Sequence, residues 1–155
     1  MEFDIPGFGK ITIENLVFDV NGTLATDGEL VAGIKDRMQR LGEYLNIHLL
    51  TANTHGKQDE IDKLLGTSAV IIRGETEAEQ KEAFVDNLGA KSVIAIGNGA
   101  NDELMLKKAA LGIVVIGQEG AATSSILNSQ IIVKNIVDAL DLLLKPNRLK
   151  ATLRR

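Results

Sequence analysis

Six short apolar runs punctuate this chain, and no other feature limits its fold so tightly. They are NLVFDV (15–20), IHLLTA (47–52), AVIIR (69–73), SVIAIG (92–97), LGIVVIG (111–117) and QIIVK (130–134). Each is short, rich in β-branched residues and mostly apolar on both faces, which predicts parallel strands covered by helices on both sides. Helix-period segments fill the gaps at 33–45, 57–66, 77–89, 101–110 and 135–144. Within the first of these, Ile34, Met38, Leu41 and Leu45 fall on one stripe. The segments 57–66 and 77–89 end in glycine, a common helix stop. Strand–helix alternation of this kind predicts an α/β fold with a doubly wound, Rossmann-like, mostly parallel sheet. Residues 1–14 break the pattern. Pro6-Gly7 and Gly9-Lys10 separate alternating runs there, which predicts a small N-terminal β-hairpin at a sheet edge.

Composition bounds the function. A chain of 155 residues is the size of one domain, expected here over 1–155. It has no cysteine, which excludes disulfides, thiol catalysis and cysteine metal sites and leads us to expect a cytoplasmic protein. No apolar run nears the roughly 18 residues a membrane span needs. The opening MEFDIPGFGK lacks the basic-then-apolar pattern of a signal peptide. A net charge of −4 gives no electrostatic ground for nucleic-acid binding. The segment 145–155 carries five basic residues and no acid, which predicts a solvated or oligomer-docking basic tail, with anion binding as the alternative.

Open α/β sheets hold ligands at the carboxyl ends of their strands. The first run ends near Asp19, the second at Thr51, and the fourth enters GNGAND (97–102); Lys81 lies early in the helix before that fourth run. A carboxylate nucleophile, a hydroxyl, a cation and a glycine-rich turn are the parts that phosphoryl transfer uses. Taken singly, each has an ordinary explanation. Asp19 could be a turn residue, Thr51 could bond its own backbone, and Lys81 could be a solvated helix lysine. GNGAND could be a helix start capped by Asn101 or Asp102, and it is not a dinucleotide-binding G-x-G-x-x-G. His48 fits packing within a strand, and His55 fits a helix cap or a substrate contact.

Taken in order, FDVNGTL (18–24), LLTANT (49–54), Lys81 and GNGANDELML (97–106) resemble the haloacid dehalogenase superfamily of phosphatases and phosphotransferases. The similarity runs from about 15 to 144. It is greatest to the phosphorylation domain of P-type ATPases and to small soluble proteins made of that domain alone. The resemblance implies that Asp19 is the nucleophile that becomes an aspartyl phosphate. Thr51 binds the phosphoryl group, with Ala52, Asn53 and Gly22 beside it, and Lys81 neutralises nucleophile and phosphate. Mg2+ is implied as cofactor, held by Asp19, the main-chain carbonyl of Asn21 and the position of Asn98, with Asp102 nearby.

Two positions depart from the family pattern. Phosphatases of this superfamily carry Asp where Asn21 stands, as general acid and base, and an acid where Asn98 stands. An amide cannot shuttle a proton and is a weaker ligand for Mg2+ than a carboxylate. P-type ATPases also lack the acid at the first position, and their phosphoenzyme is long-lived. Both amides precede glycine, the pairing most prone to deamidation, which would convert Asn to Asp. The intervals Asp19–Thr51 and Thr51–Lys81 are each filled by helices and a strand. No cap domain fits, only a small flap at 24–33 around Asp27-Gly28.

The expectation is therefore a capless Mg2+-dependent phosphohydrolase or ATPase-like protein, slowed by Asn21. Its substrate would be a phosphorylated small molecule or a phosphoprotein, with ATP among the candidates. An uncapped site and an added hairpin also predict a homo-oligomer. A non-catalytic phosphate-binding or regulatory protein is the alternative. A receiver-like domain is disfavoured by DVNGTL, which lacks the acidic pair such domains need.

Overall fold

The strand Asn15–Asp19 is buried along its whole length. That burial requires strands on both of its edges and helices on both of its faces. A computed structural model, which describes residues 1–53 and 55–155, supplies both. In chain order the strands are β1 (Glu2–Ile5), β2 (Gly9–Thr12), β3 (Asn15–Asp19), β4 (Ala25–Thr26), β5 (Glu29–Leu30), β6 (Asn46–Thr51), β7 (Val70–Ile71), β8 (Val93–Gly97), β9 (Leu111–Val115) and β10 (Ile131–Val133). The helices are α1 (Ile34–Gly42), α2 (Gln58–Leu65), α3 (Glu77–Asn87), α4 (Glu103–Lys108), α5 (Thr123–Leu127), α6 (Ile136–Leu144) and α7 (Pro146–Leu153). Six strands form one sheet in the order β10-β9-β8-β3-β6-β7. Every pairing in it is parallel.

Side chains alternate across the sheet with the two-residue period of a strand. Leu16 and Phe18 of β3 join Ile34, Met38 and Leu41 of α1 and Leu140 and Leu143 of α6 on one face. Val17 faces the other way, toward Val85 of α3 and Met105 and Leu106 of α4. Each such side chain contributes about 1.5–3 kcal/mol by leaving water. β7 is shorter than its sequence run because it is an edge strand. Only Val70 and Ile71 find ladder partners, Leu50 and Thr51, and both are exposed.

Two terminal segments differ from expectation. The hairpin β1–β2 forms, with Phe3 opposite Ile11, but as a separate two-stranded sheet rather than an added edge. It is anchored by Ile13 N–H donating to Met1 O and Glu14 N–H donating to Ser92 O. The segment 145–155 is largely exposed, but it is helical and anchored rather than a loose tail. Pro146 opens α7, Leu149 is fully buried, and the Arg155 N–H donates to Pro6 O at 3.1 Å. The two leucines at helical spacing, Leu149 and Leu153, were hidden in the sequence by the basic residues around them. No helix among the described residues is long and apolar enough to cross a membrane.

An ion pair clamps α1 to α6. Asp141 accepts from Arg37 Nε and from Lys145 Nζ, both at 2.8 Å. The hydrogen bonds from Arg37 and Lys145 hold its carboxyl down at about 2. Asp141→Asn should lower the unfolding free energy at pH 7 by about 0.5–1 kcal/mol, a modest figure because both cations are partly solvated. The folded carboxyl is the stronger acid, so this contribution is complete above the ordinary Asp value near 4 and is lost as pH falls toward 2. Urea denaturation of both proteins at pH 7 and pH 2.5 checks it: the gap should narrow at the lower pH.

Candidate active site

Parallel pairing in register brings three strand ends to one rim. Asp19 lies opposite Leu50, one residue before Thr51, and Phe18 lies opposite Ile96, one residue before Gly97. β3 thus delivers Asp19, β6 delivers Thr51, and β8 leads into Asn98. Lys81, on α3, reaches the same point. Its ammonium donates to Asp19 Oδ1 at 2.7 Å and to Asp102 Oδ1 at 2.6 Å. Lys81 and Asp102 are fully buried and Asp19 is nearly so. Lysine is almost never buried unless paired, so the two carboxylates account for its position.

The charges shape one another. Burial, aided by the nearby Asp102 charge, pushes the Asp19 carboxyl up to about 7, against the opposing pull of Lys81. Burial also works against the Lys81 charge, but Asp19 and Asp102 more than offset it and hold the ammonium above its ordinary value.

The turn after β3 explains the residues that follow Asp19. Val20 O accepts the N–H groups of Thr23, Leu24 and Ala25, closing a tight turn. Gly22 sits in the left-handed region at φ +83, and a Cβ there would lie 2.5 Å from Asn98 Nδ2. Only glycine meets both conditions. Its N–H is committed to Ala25 O at 2.7 Å. Thr23 Oγ1 donates to Asn98 Oδ1 at 3.1 Å, joining this turn to the loop after β8. In that loop the Asn98 and Gly99 N–H groups both donate to Asp102 Oδ2 at 2.9 Å. A Cβ at Gly97 would collide with the same carboxylate.

The two Asn-Gly amides, Asn21 and Asn98, both act as donors. Asn21 Nδ2 donates to Thr51 Oγ1 at 3.3 Å, and Asn98 Nδ2 donates to Gly120 O at 3.2 Å. A carboxylate could make neither bond. Thr51 Oγ1 also accepts the Asn53 N–H at 2.9 Å. Asn53 itself is held at φ +53, with its side chain accepting the Gln58 N–H at 3.4 Å. Ala52, between them, is half-buried. Thr54, last residue of the LLTANT motif, lies outside the described residues. The deamidation-prone pairs are both restrained: succinimide closure needs a free glycine nitrogen, and the Gly22 and Gly99 N–H groups are bonded.

The expected flap is a two-residue hairpin, with Thr26 opposite Glu29 and positive φ at Asp27 and Gly28. It reaches two loops of the rim. Asp27 N–H donates to Glu119 Oε1 at 3.3 Å, and a Cβ at Gly28 would lie 3.0 Å from the His55 Cβ. His48 keeps to its packing role, stacked edge-on against Phe84. Several partners of the site carry no signal in the sequence. Glu77 accepts from Asn101 at 2.6 Å and buried Ser125 bonds Gly99 O, steadying the loop around Asp102. No local pattern marks either residue.

Among the described residues no three His, Cys, Asp or Glu side chains come together as a metal cage. The rim offers oxygen only: the Asp19 carboxylate, the Asn21 carbonyl and Asn98 Oδ1. Both Asp102 oxygens are engaged by Lys81 and by two N–H groups. An all-oxygen set that includes the Asp19 carboxylate, only one of whose oxygens is taken by Lys81, fits Mg2+, which retains waters and leans on substrate phosphate. Replacing Lys81 by Met should leave two buried carboxylates without compensation and lower the unfolding free energy by about 3–5 kcal/mol, as read by urea denaturation.

Comparison with known proteins gives fold and kinship. No family model matches the chain. An uncharacterized protein of Methanocaldococcus jannaschii is 69% identical over 64 residues, which is 41% of this chain and 69% of that protein. Among solved structures, the 3-deoxy-D-manno-octulosonate 8-phosphate phosphatase of Moraxella catarrhalis, in complex with magnesium and phosphate ions and its sugar, superposes with a TM-score of 0.67. It is 22% identical, and the match covers 90% of each chain. A phospho-aspartyl intermediate analogue of phosphoserine phosphatase matches with a TM-score of 0.63 at 16% identity, covering 86% of this chain and 98% of that one.

Proposed function

We propose that this chain, which belongs to the same family as the Methanocaldococcus jannaschii protein and has the fold of the haloacid dehalogenase phosphatases, is a Mg2+-dependent phosphohydrolase working through an aspartyl phosphate on Asp19. One arrangement carries the reading: a buried carboxylate at a strand end, neutralised by a buried lysine and flanked by a threonine hydroxyl. The Asp19 carboxylate attacks the phosphorus of a phosphomonoester, the bond to the leaving oxygen breaks, and that oxygen takes its proton from water. Water then attacks the phosphoryl group, releasing inorganic phosphate and restoring the carboxylate. Lys81 offsets the charge on both, and the Thr51 hydroxyl donates to a phosphoryl oxygen. Asp19, the Asn21 carbonyl and Asn98, with Asp102 behind them, would hold Mg2+, which would supply charge neutralisation at the transferring group.

Asn21 leaves no proton carrier two residues from the nucleophile, so turnover is slow and the phosphoenzyme long-lived, as in P-type ATPases. A small phosphomonoester is the favoured substrate class, in keeping with the sugar phosphatase and phosphoserine phosphatase of like fold. ATP and phosphoproteins carry the same reacting group, and a substrate panel sorts the three. A cytoplasmic setting accords with a chain that has no cysteine. Asp19→Asn should reduce Mg2+-dependent hydrolysis of an aryl phosphate to background. A wild-type rate in that variant removes the nucleophile assignment.

One observation favours a second reading, a non-catalytic phosphate-binding or regulatory protein: both departing amides are spent as donors within the fold. Acid-stable phosphate on wild-type protein, absent from Asp19→Asn, separates the two. The proposal extends to a homo-oligomer. The edge strands β7 and β10 expose Val70, Ile71 and Ile132, surface of the kind that seeks a partner. Light scattering should give at least twice the mass of the 16.7 kDa chain; a monomer at working concentration sinks this part.

A further inference from the structure

We propose that Asn21 is a positioning residue that makes the Thr51 hydroxyl a dedicated donor to the anion bound beside Asp19. The inference rests on the phosphatase reading of the same site. A threonine hydroxyl has one hydrogen to give and two positions at which to accept. Both accepting positions of Thr51 are filled, by the Asn53 N–H at 2.9 Å and by Asn21 Nδ2 at 3.3 Å. What remains is the hydrogen. Thr51 is 1% exposed, so bulk water does not compete for it. The two donors reach the oxygen from different elements. Asn21 comes from the turn after β3. Asn53 follows β6, fixed by its left-handed backbone and by its side-chain bond to the Gln58 N–H. Such a donor is oriented before any ligand arrives and costs no rearrangement when one does.

An acid at position 21 would invert this polarity. A carboxylate accepts and does not donate, so it would draw the Thr51 hydrogen toward itself and repel an incoming anion. The choice between amide and acid at this position thus exchanges proton transfer for anion affinity. With the amide, the site holds a phosphoryl group well and lets it go slowly.

Calorimetry with inorganic phosphate and with orthovanadate, in the presence of magnesium chloride, tests the coupling. Asn21→Ala should weaken binding about fivefold in the wild-type background, the effect of one ordinary hydrogen bond. In a Thr51→Val background the same change should have no effect, because the hydroxyl it orients is gone. In a Thr51→Ser background, which keeps a hydroxyl, the dependence on Asn21 should return; this arm also carries the test if the valine variant folds poorly. Asn21→Asp should weaken anion binding at least tenfold at neutral pH while raising kcat at least roughly tenfold, since it supplies the missing proton carrier. Equal effects of Asn21→Ala with and without the Thr51 hydroxyl overturn the inference, as does Asn21→Asp protein that binds phosphate as tightly as wild type. Coupled binding without any turnover sinks the phosphatase reading alone, and turnover with additive binding effects sinks this inference alone.

Discussion

The ammonium of Lys81, buried between Asp19 and Asp102, is the contact on which the rest of the candidate site depends. Two carboxylates taken out of water at close range would repel each other, and each would draw a proton from solvent. One buried cation makes the pair tolerable, and it ties three elements together: the end of β3, the first turns of α3 and the loop after β8. That loop wraps the Asp102 carboxylate with its own N–H groups. The charges therefore shape the backbone as much as the backbone positions the charges.

A second layer lies over this floor and is neutral. Asn21, Thr23, Thr51 and Asn98 bond to one another or to main-chain groups. They join the turn after β3, the end of β6 and the loop that reaches Gly120. The flap adds its tip between His55 and Glu119. The floor holds charge and the layer above it directs hydrogen bonds, so the two tasks fall to different residues.

Much of this was legible in the amino-acid order, for physical reasons that can be named. Strands buried on both faces carry apolar runs such as Leu16–Phe18, and helices facing them carry stripes such as Ile34, Met38 and Leu41, so strand–helix alternation was readable directly. Asp27-Gly28 announced its turn because few other pairs accept positive φ twice. Lys81 was not legible by itself, since a helix lysine betrays its burial only through partners distant in sequence. It became legible through the order of the motifs around it. α7 was missed because its buried Leu149 stands among basic residues that suggest solvent. The roles of Glu77 and Ser125 could not be read at all, since each depends on a loop that only the folded chain brings near.

Separating a charged floor from a neutral rim has an evolutionary consequence. An exchange at position 97 would displace Asp102 and with it the lysine, so that position tolerates no side chain. Positions 21 and 98 are different: their amides bond two threonine hydroxyls and one main-chain carbonyl rather than the buried charges. A lineage could trade amide for acid at either place and alter the fate of a bound phosphoryl group without first rebuilding the charges beneath. On the proposed reading, single substitutions there would change how long a phosphoryl group stays while the charged floor is left as it is.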